Sequence, residues 1–509
     1  MGVELEWLKQ AVSLCMMTTE QQEPEKKEGF QALEQRFLDF SEIEKEQIRN
    51  LLKTQFEVRD GMYMLSNFIQ YMKIQGFEDD ILELMIQGEF DCYLGSMFEL
   101  QAQCLIKDNY EKRQKLHRTN IQKYEDEIDI NETYQPLEQR NKKRIAIITE
   151  QILEIQHAPT QVVLNMAYIL QKCLGYEILL FVCPTDRGIE PEIWHKPVVM
   201  TSNDFFRSYS MRLEYKDTYF DGYQINMEPG CQKEYSMMFS ILHAWNPYFV
   251  FSVGMINPVA DLARNFTTLV AMDVSTGCPI SEADILIRLS RLSESKEEYY
   301  KTLLKDQKQI FMEKTMPTLL EAEKEAYSRT RLGLPEDKFL IAIVGNRLDA
   351  EVDTEFINIC KKILELRSQV SFVVIGKNPI AQEKLNDPIF TKRLFYLGYC
   401  EELMKTIGCL DLYLNPKRMG GGYSSVYALV EEIPVVTLPD CDVAYNVGEE
   451  FTVQNYQKMI ETVCRYVDDK KFYQKKQKSA ITVAANSSKE NLKAYMCTML
   501  EKIRNVMEG

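Results

Sequence analysis

The chain has 509 residues, too many for a single hydrophobic core, so about two to four domains are expected. Apolar residues make up 45% and charged residues 27% of the sequence, a balance typical of soluble globular proteins. The formal net charge of −16 argues against the basic surface that non-specific nucleic-acid binding requires, and we expect no nucleic-acid partner.

The sequence pattern favours a cytoplasmic protein without a transmembrane segment. The first six residues include two glutamates, where a signal peptide would carry basic residues. The apolar runs have the length of strands and are too short to span a bilayer. The thirteen cysteines form no C-x-x-C pair, which favours free thiols in a reducing compartment. Only four histidines are available for a His-rich metal site.

The first 138 residues predict an all-helical domain. Apolar side chains recur at helical spacing over 30–40, and further helical segments follow at 41–57, 60–74 and 77–88. Ser41 and Glu44 predict a capping box at the start of one of them. We expect this domain to pack against the next one or to form oligomers. Recognition of a protein or peptide acceptor is the alternative.

A first Rossmann-like domain is predicted for residues 139–292. An apolar run at 145–149, a helical segment at 160–174 and a second run at 177–182 form a β-α-β unit. Apolar runs of this kind are typical of strands buried on both faces of a parallel sheet. Further strands are predicted at 248–254 and 269–273.

A second Rossmann-like domain is predicted for residues 333–480, after a charged helical bridge at 293–332. Its predicted strands lie at 339–344, 371–375, 394–397, 410–414 and 434–438. Residues 481–509 predict a C-terminal helix that packs back across the domains. Two such sheets would place a ligand-binding cleft at the carboxyl ends of their strands.

The strongest site signal is the loop between the strand that ends near Asn415 and the following helix. Its glycines permit positive φ angles and close approach of a ligand to the backbone, and the helix N terminus behind them suits a diphosphate. The loop residues concerned are Lys417, Arg418, Gly420, Gly421, Gly422, Ser424 and Ser425. The serines are placed to cap the helix or to donate to phosphate oxygens. A plain glycine-rich turn is the alternative, since neither a Walker motif nor G-x-G-x-x-G is present.

The order of motifs from Leu332 to Val467 resembles the C-terminal domain of GT-B glycosyltransferases, above all the families that extend polysaccharides and glycosylate proteins. Residues 344–348 (V-G-N-R-L) resemble the G-R-L strand end of those enzymes. Residues 373–379 resemble their central strand and turn, and residues 395–400 resemble the segment that meets the base. Residues 415–436 resemble a longer stretch of those enzymes, P-S-R-x-E-G-x-G … E-A-x-A-x-G-x-P-V, in layout.

The resemblance implies an α/β protein with two Rossmann-like domains that face a cleft, the GT-B fold, preceded by the all-helical domain. It implies transfer of a sugar from a nucleotide diphosphate sugar, UDP-linked, to a hydroxyl of a protein or glycan. The implied diphosphate-binding residues are Arg347, Lys417, Gly420, Gly421, Gly422, Ser424 and Ser425. The implied nucleotide-binding residues are Asn346, Gly376, Gly398 and Tyr399. No metal and no cofactor besides the nucleotide sugar are expected.

The sequence departs from the family pattern at the positions where the family carries a pair of glutamates. Gly420 or Gly421 stands near the first glutamate position, and Tyr427 occupies the second, which usually holds ribose hydroxyls. Glu351 lies where a lysine is common. These departures leave the stereochemical outcome open. They also favour an alternative: a non-catalytic partner subunit that binds acceptor or stabilises an active transferase.

Candidate residues on the acceptor side follow strands of the first α/β domain. His157 is a candidate general base for an acceptor hydroxyl, and a hydrogen bond that holds the loop or caps the next helix is its alternative role. Gly254 and Asn257 are candidate cleft-lining residues, or parts of a structural turn. Asp440 and Asp442 match the motif D-x-D, which binds a metal in another glycosyltransferase fold. Their place after a late strand favours a solvent-facing loop, with Asp442 as a further cleft-lining candidate.

Overall fold

The computed structural model describes residues 2–509 except 73, 75, 107–108, 154–156, 184–192, 198–210, 226–230, 275–277, 289–293, 313–315, 321–324, 379, 381, 386 and 419. The chain forms two compact units. The first unit comprises residues 1–154 and 175–310, and the second comprises residues 155–174 and 311–509.

The N-terminal region is all-helical, as predicted. Its helices are α1 (Gly2–Cys15), α2 (Glu23–Asp39), α3 (Glu42–Thr54), α4 (Val58–Tyr71), α5 (Phe77–Gln87), α6 (Cys92–Leu105) and α7 (Tyr110–Glu127). The capping box at the start of α3 is confirmed: Glu44 accepts a hydrogen bond of 2.8 Å from the Ser41 N–H, and the Ser41 side chain accepts from the Glu44 N–H.

An eight-stranded sheet completes the first unit. Its elements are β1 (Asn141–Thr149), β2 (Glu177–Val182), β3 (Met211–Tyr215), β4 (Thr218–Gln224), α9 (Gln232–Trp245), β5 (Pro247–Val253), α10 (Pro258–Asp261), β6 (Leu269–Met272), β7 (Ile285–Arg288), α11 (Glu294–Leu303) and β8 (Lys308–Phe311). The strand order is β3-β4-β2-β1-β5-β6-β7-β8. Pairing is parallel from β4 to β7, and β3 runs antiparallel to β4.

The sequence missed β3, β4, β7 and β8. Strand β4 alternates buried and exposed side chains along its length, with Tyr219 and Asp221 exposed. Such a strand lacks the continuous apolar run by which β1 and β2 were predicted. The helical bridge predicted for 293–332 is also wrong as a continuous helix, because α11 ends at Leu303 and residues 308–311 form the edge strand β8.

The second unit is built on a five-stranded parallel sheet in the order β11-β10-β9-β12-β13. Its elements are β9 (Phe339–Val344), α12 (Leu348–Glu351), α13 (Thr354–Leu366), β10 (Val370–Ile375), β11 (Leu394–Gly398), α14 (Leu403–Ile407), β12 (Leu412–Leu414), α15 (Gly422–Val430), β13 (Val435–Val436), α16 (Asp442–Val447), α17 (Tyr456–Asp468), α18 (Lys470–Ala484) and α19 (Lys489–Glu508). The predicted strands of this region are confirmed, with β12 and β13 shorter than expected.

One helix packs away from the region to which the sequence assigned it. Helix α8 (Ala158–Tyr168) continues into a π-helical turn at Ile169–Cys173 and belongs to the second unit. Two hydrogen bonds hold it there: Gln161 donates to the Tyr427 hydroxyl over 2.8 Å, and Lys489 donates to the Tyr168 hydroxyl over 3.0 Å. These partners are distant in sequence. The predicted division at 138/139 stays a prediction, since the helical region shares the first unit with the eight-stranded sheet.

Among the described helices, none combines the length and the apolar character needed to cross a membrane.

A buried ionic network joins the helical region to the first sheet. The His117 ring lies between two carboxylates, with Nδ1 2.6 Å from Glu99 and Nε2 2.6 Å from Asp261. The Ser281 hydroxyl donates to the other oxygen of Asp261 over 2.6 Å. Burial alone would lower the pKa of His117, but the charge of Glu99 and the hydrogen bonds with both carboxylates raise it to about 10. The protonated ring therefore bridges α6, α7 and α10.

We predict that His117→Gln lowers the free energy of unfolding by about 3 kcal/mol, because it leaves two buried carboxylates without their cation. The folded-state pKa of about 10 lies above the unfolded value of about 6.5. The stabilisation by His117 is therefore fully present below about pH 6.5 and is lost as the pH rises to about 10. Urea unfolding of wild type and variant at pH 6 and pH 9.5 measures both effects.

The half-exposed His243, which contacts a backbone carbonyl, supplies the matched control His243→Gln. If wild type and His117→Gln lose stability equally between pH 6 and pH 9.5, then the network does not act as described.

Candidate active site

The loop before α15 rests on the buried guanidinium of Arg418, whose side chain is only 4% exposed. Arg418 forms an ion pair of 2.7 Å with Glu351. It also donates to Asn415 Oδ1 over 3.1 Å and to the backbone carbonyl of Val344. Burial alone would lower the pKa of Arg418, but Tyr413 and Glu351 raise it. The side chain therefore ties the ends of β9 and β12 to α12 and is committed to structure.

Two glycines make room for this guanidinium. A Cβ atom on Gly345 would lie 2.2 Å from Nη1 of Arg418, and one on Gly421 would lie 2.6 Å from Nη2. Gly421 also has a φ of +80° and occupies the N-cap of α15. Any larger residue at either position would collide with the charged group that holds the loop.

The predicted nucleotide-binding residues lie where β9, β10 and β11 end side by side. The Gly376 N–H donates to the carbonyl of Gly398 over 2.9 Å. Gly376 has a φ of +149°, and a Cβ atom there would lie 1.7 Å from the carbonyl oxygen of Gly345. Asn346 Oδ1 accepts from the Lys377 N–H over 3.1 Å. These contacts bring Asn346, Gly376 and Gly398 to one edge of the sheet.

Tyr399 follows β11 at the same edge. Its side chain is 40% exposed, and the Lys377 ammonium lies 4.9 Å from the ring centroid. Gly398 has a φ of +72°, with open space where a Cβ atom would stand. An exposed aromatic ring beside an open turn has the shape that stacking of a base requires.

The structure brings Arg347 to the glycine loop. Its side chain is 71% exposed and forms an ion pair of 2.9 Å with Glu351. Nη2 of Arg347 lies 3.7 Å from the position that a Cβ atom on Gly420 would occupy. Arg347 and Arg418 thus share the carboxylate of Glu351, but only Arg347 is open to a ligand.

The loop and the first turn of α15 carry the remaining predicted diphosphate-binding residues. The Gly420 N–H donates to Oδ2 of Asp442 over 2.7 Å. The Ser424 hydroxyl donates to the Gly421 carbonyl over 2.9 Å, and the fully buried Ser425 donates to the Gly422 carbonyl over 2.7 Å. Both serines bond back to the backbone in this conformation. The N terminus of a helix carries a partial positive charge, so the start of α15 suits an anion.

Two further residues of the predicted loop are Lys417 and Met419. Lys417 is exposed. Met419 lies outside the described residues.

Helix α8 contributes His157 and Gln161 to the same unit as the loop. His157 occupies the N-cap of α8, and its Nδ1 lies 3.2 Å from the Thr160 hydroxyl. One turn later, Gln161 donates to the Tyr427 hydroxyl over 2.8 Å. Tyr427 lies on α15, the helix that begins at the glycine loop. Its side chain is buried, which raises its pKa.

Gly254 and Asn257 lie in the first unit, beyond the end of β5. A Cβ atom on Gly254 would lie 3.1 Å from the carboxyl carbon of Glu150, which follows β1. Burial raises the pKa of Glu150 to about 7, although the Met255 N–H donates to its carboxyl group. Asn257 is 95% buried and accepts from the Ala260 N–H over 3.0 Å, so it caps α10. These residues mark the switch between β1 and β5, where strand order reverses.

Within the described ranges, no three His, Cys, Asp or Glu side chains converge as a metal site. Of the D-x-D pair, Asp440 is exposed with a φ of +57°, whereas Asp442 contacts the loop backbone.

Sequence reasoning missed three contacts of this region: Glu351 with two arginines, Asp442 with Gly420, and Gln161 with Tyr427. The first had a local signal, because Arg347 and Glu351 are four residues apart at a helix start. The other two join distant segments and had none.

Neither a protein-family model nor a curated protein matches the sequence. Solved structures do match. A mutant O-GlcNAc transferase of Thermobaculum terrenum superposes with a TM-score of 0.55 at 12% identity, over 99% of this chain and 98% of that one. A glycosyltransferase from Rickettsia africae ESF-5 matches with a TM-score of 0.49 at 12% identity, over 72% of this chain and 100% of that one.

At this identity the likeness shows the fold alone. The chain has the GT-B fold with an all-helical N-terminal region, as the sequence predicted, and this is a fold of glycosyltransferases.

We predict that Gly376→Ala destabilises the second unit by about 3 kcal/mol or more, because the added methyl would overlap the Gly345 carbonyl in a strained backbone conformation. Gly398→Ala is the matched control. It also has a positive φ but open space around it, so a loss of about 1 kcal/mol is expected. Urea unfolding compares the two variants, and equal losses would contradict the close approach of the two strand ends.

We also predict that Arg418→Met costs about 3 kcal/mol of unfolding free energy, because it removes a buried cation and orphans its acceptors. Arg347→Ala is expected to cost at most about 1 kcal/mol, since its ion pair is exposed on one side. Unfolding measurements on both variants test the different roles of the two arginines. A larger loss for Arg347→Ala would reverse the assignment.

Proposed function

We propose that the chain is a glycosyltransferase that moves a sugar from a UDP-linked nucleotide sugar to a hydroxyl of a protein or glycan acceptor. The observation that carries this proposal is the exposed Arg347 guanidinium beside Gly420, next to the N terminus of α15, in a GT-B fold. A cation and a set of backbone N–H groups at one point suit the two phosphates of such a donor.

In this proposal the diphosphate lies against Arg347, Lys417 and the N–H groups that follow Gly421. The nucleoside occupies the edge formed by Asn346, Gly376 and Gly398, with the base against Tyr399. The Arg347 guanidinium is oriented before a donor binds, because its Nε and Nη2 donate to Glu351. Preorganised positive charge stabilises the leaving diphosphate as the glycosidic bond breaks, and we expect no metal or other cofactor.

The acceptor hydroxyl would lose its proton to His157 in this proposal. Two observations support the placement: α8 packs in the same unit as the glycine loop, and its Gln161 contacts Tyr427 on α15. Imidazole is the side chain that most often serves as a general base in enzymes. Recognition of a protein acceptor, or oligomer formation, is the role we propose for the helical region.

A second candidate function is that of a non-catalytic partner subunit. Two contacts favour it. Tyr427, which replaces the family's ribose-binding glutamate, is buried and bonded to Gln161. The Gly420 N–H is bonded to a carboxylate of the chain itself. The first contact leaves no glutamate for the ribose hydroxyls, and the second occupies a backbone N–H that could otherwise bind a phosphate. A chain with these two contacts would bind a donor less well than the family pattern implies.

Donor binding tests the proposal. We expect a nucleotide sugar to raise the melting temperature of the wild type in a panel of UDP-, GDP- and TDP-sugars, with a UDP-sugar giving the largest rise. Arg347→Ala and Lys417→Ala should each weaken its affinity about tenfold by calorimetry, which is the loss of one charge-assisted hydrogen bond. Arg465→Ala is the matched control, because Arg465 is an exposed arginine in a similar i,i+4 pair.

His157→Ala separates the two candidate functions. An active transferase should lose turnover of the donor, measured as release of nucleoside diphosphate, while donor affinity stays unchanged. Binding without any turnover in the wild type would favour the partner subunit. Absence of binding to every donor would exclude both the enzyme and our placement of the donor.

A further inference from the structure

A buried hydrogen bond joins helix α8 to helix α15 within the second unit. The Gln161 amide donates to the Tyr427 hydroxyl over 2.8 Å, and the two residues are only 7% and 6% exposed. The other polar atom of this amide, Oε1 of Gln161, has no hydrogen-bond partner in the part of the chain that the structure describes. The bond to Tyr427 is therefore the contact that orients the amide, and burial keeps water from competing for it.

The helix backbone carries this contact to His157. The Gln161 N–H donates to the His157 carbonyl over 3.0 Å, and His157 is the N-cap of α8. Residues four apart on a helix lie on the same face, so a bond to the Gln161 side chain fixes the rotation of the first turn of α8 about its axis. Within that turn, the imidazole Nδ1 lies 3.2 Å from the hydroxyl of the fully buried Thr160. The rotation of this turn therefore sets the position of the imidazole.

A second contact holds the far end of the same helix. Lys489 of α19 donates to the Tyr168 hydroxyl over 3.0 Å, and its ammonium lies 5.1 Å from the centroid of that ring. Tyr168 is the last residue of α8, about 16 Å along the helix axis from His157. This contact attaches α8 to the unit without touching the turn that carries the imidazole.

Helix α15 connects the first contact to the glycine loop. The helix begins directly after Gly421 and carries Tyr427. The candidate base and the candidate diphosphate site thus lie on two helices that one hydrogen bond joins. A general base must reach the proton it removes to within about 3 Å, and a misplacement of about 1 Å can lower the rate about 100-fold. Donor binding has no such dependence on the rotation of α8.

We propose that Tyr427 is a positioning residue for His157: through Gln161, its hydroxyl sets the rotation of α8 and holds the imidazole relative to the helix that begins at the glycine loop. The inference rests on the proposed function, in which His157 is the general base. It assigns a task to a tyrosine that stands where the family pattern has a glutamate.

The test compares Tyr427→Phe with wild type. Phenylalanine keeps the ring, whose centroid lies 6.4 Å from that of Tyr423, and removes only the hydroxyl. We expect kcat for release of UDP from UDP-glucose or UDP-N-acetylglucosamine to fall about tenfold, while the calorimetric affinity for UDP stays unchanged. Gln161→Leu should lower kcat equally. The double variant should lose no more than either single variant, because both changes remove the same contact.

Tyr168→Phe is the matched control. It removes one buried tyrosine hydroxyl from the same helix, at the end remote from His157. We expect the melting temperature to fall about as much as in Tyr427→Phe, with kcat unchanged. If Tyr427→Phe does not fold, then Gln161→Leu takes its place in the comparison.

The histidine ring signals supply a readout that does not need turnover. With four histidines in the chain, selective ring labelling gives few NMR signals, and His157→Gln assigns the one of interest. We expect the His157 signal to shift in Tyr427→Phe and to stay in place in Tyr168→Phe.

The outcomes separate this inference from the proposed function. An equal loss of kcat in Tyr427→Phe and Tyr168→Phe, or no loss in either, overturns the positioning role and leaves the proposed function intact. A weaker affinity of Tyr427→Phe for UDP makes the tyrosine a ligand contact instead and also overturns that role. A wild type without turnover contradicts the proposed enzyme, and an unmoved His157 signal in Tyr427→Phe then overturns the positioning of the ring as well.

Discussion

The buried charge of Arg418 is the constraint on which the candidate site depends. Its guanidinium ties the end of β9 to that of β12 and pairs with Glu351, so two strand ends and a helix meet at one charged group. A buried arginine is tolerable only when its donors are satisfied. That requirement leaves no space for side chains at Gly345 and Gly421. Gly421 of the loop therefore serves this packing.

The carboxylate of Glu351 pairs both with the arginine that holds the loop and with the arginine proposed for the donor. Glu351 accepts from the buried Arg418 and from the exposed Arg347, so the residue that stabilises the loop also orients the cation that we propose for the donor. Glu351 consequently orients the Arg347 guanidinium in this conformation. Rigid, oriented charge is the property that makes electrostatic stabilisation effective in a transferase.

The two units use buried polar contacts in different ways. In the first, protonated His117 pairs with Glu99 of the helical region and with Asp261 of α10, the helix that follows β5. In the second, Gln161 and Tyr427 join α8 to α15 through neutral groups. The tyrosine stands where the family pattern has a ribose-binding glutamate. In this chain the residue at that position instead makes a hydrogen bond between two helices.

The sequence by itself determined the fold class, the helical N-terminal region, the capping box at Ser41 and most buried strands, because apolar runs and helical periodicity are local signals. It also predicted that the glycine loop lies between a strand and a helix, whereas the role of the loop and of Arg347 in donor binding stays a prediction. Only the tertiary structure decided that Arg418 is buried, that α8 belongs to the second unit and that Asp442 contacts Gly420. These contacts join segments from 22 to 266 residues apart. A hydrogen bond or ion pair at such separation leaves no periodic trace in a single sequence, so it emerges only when the chain packs.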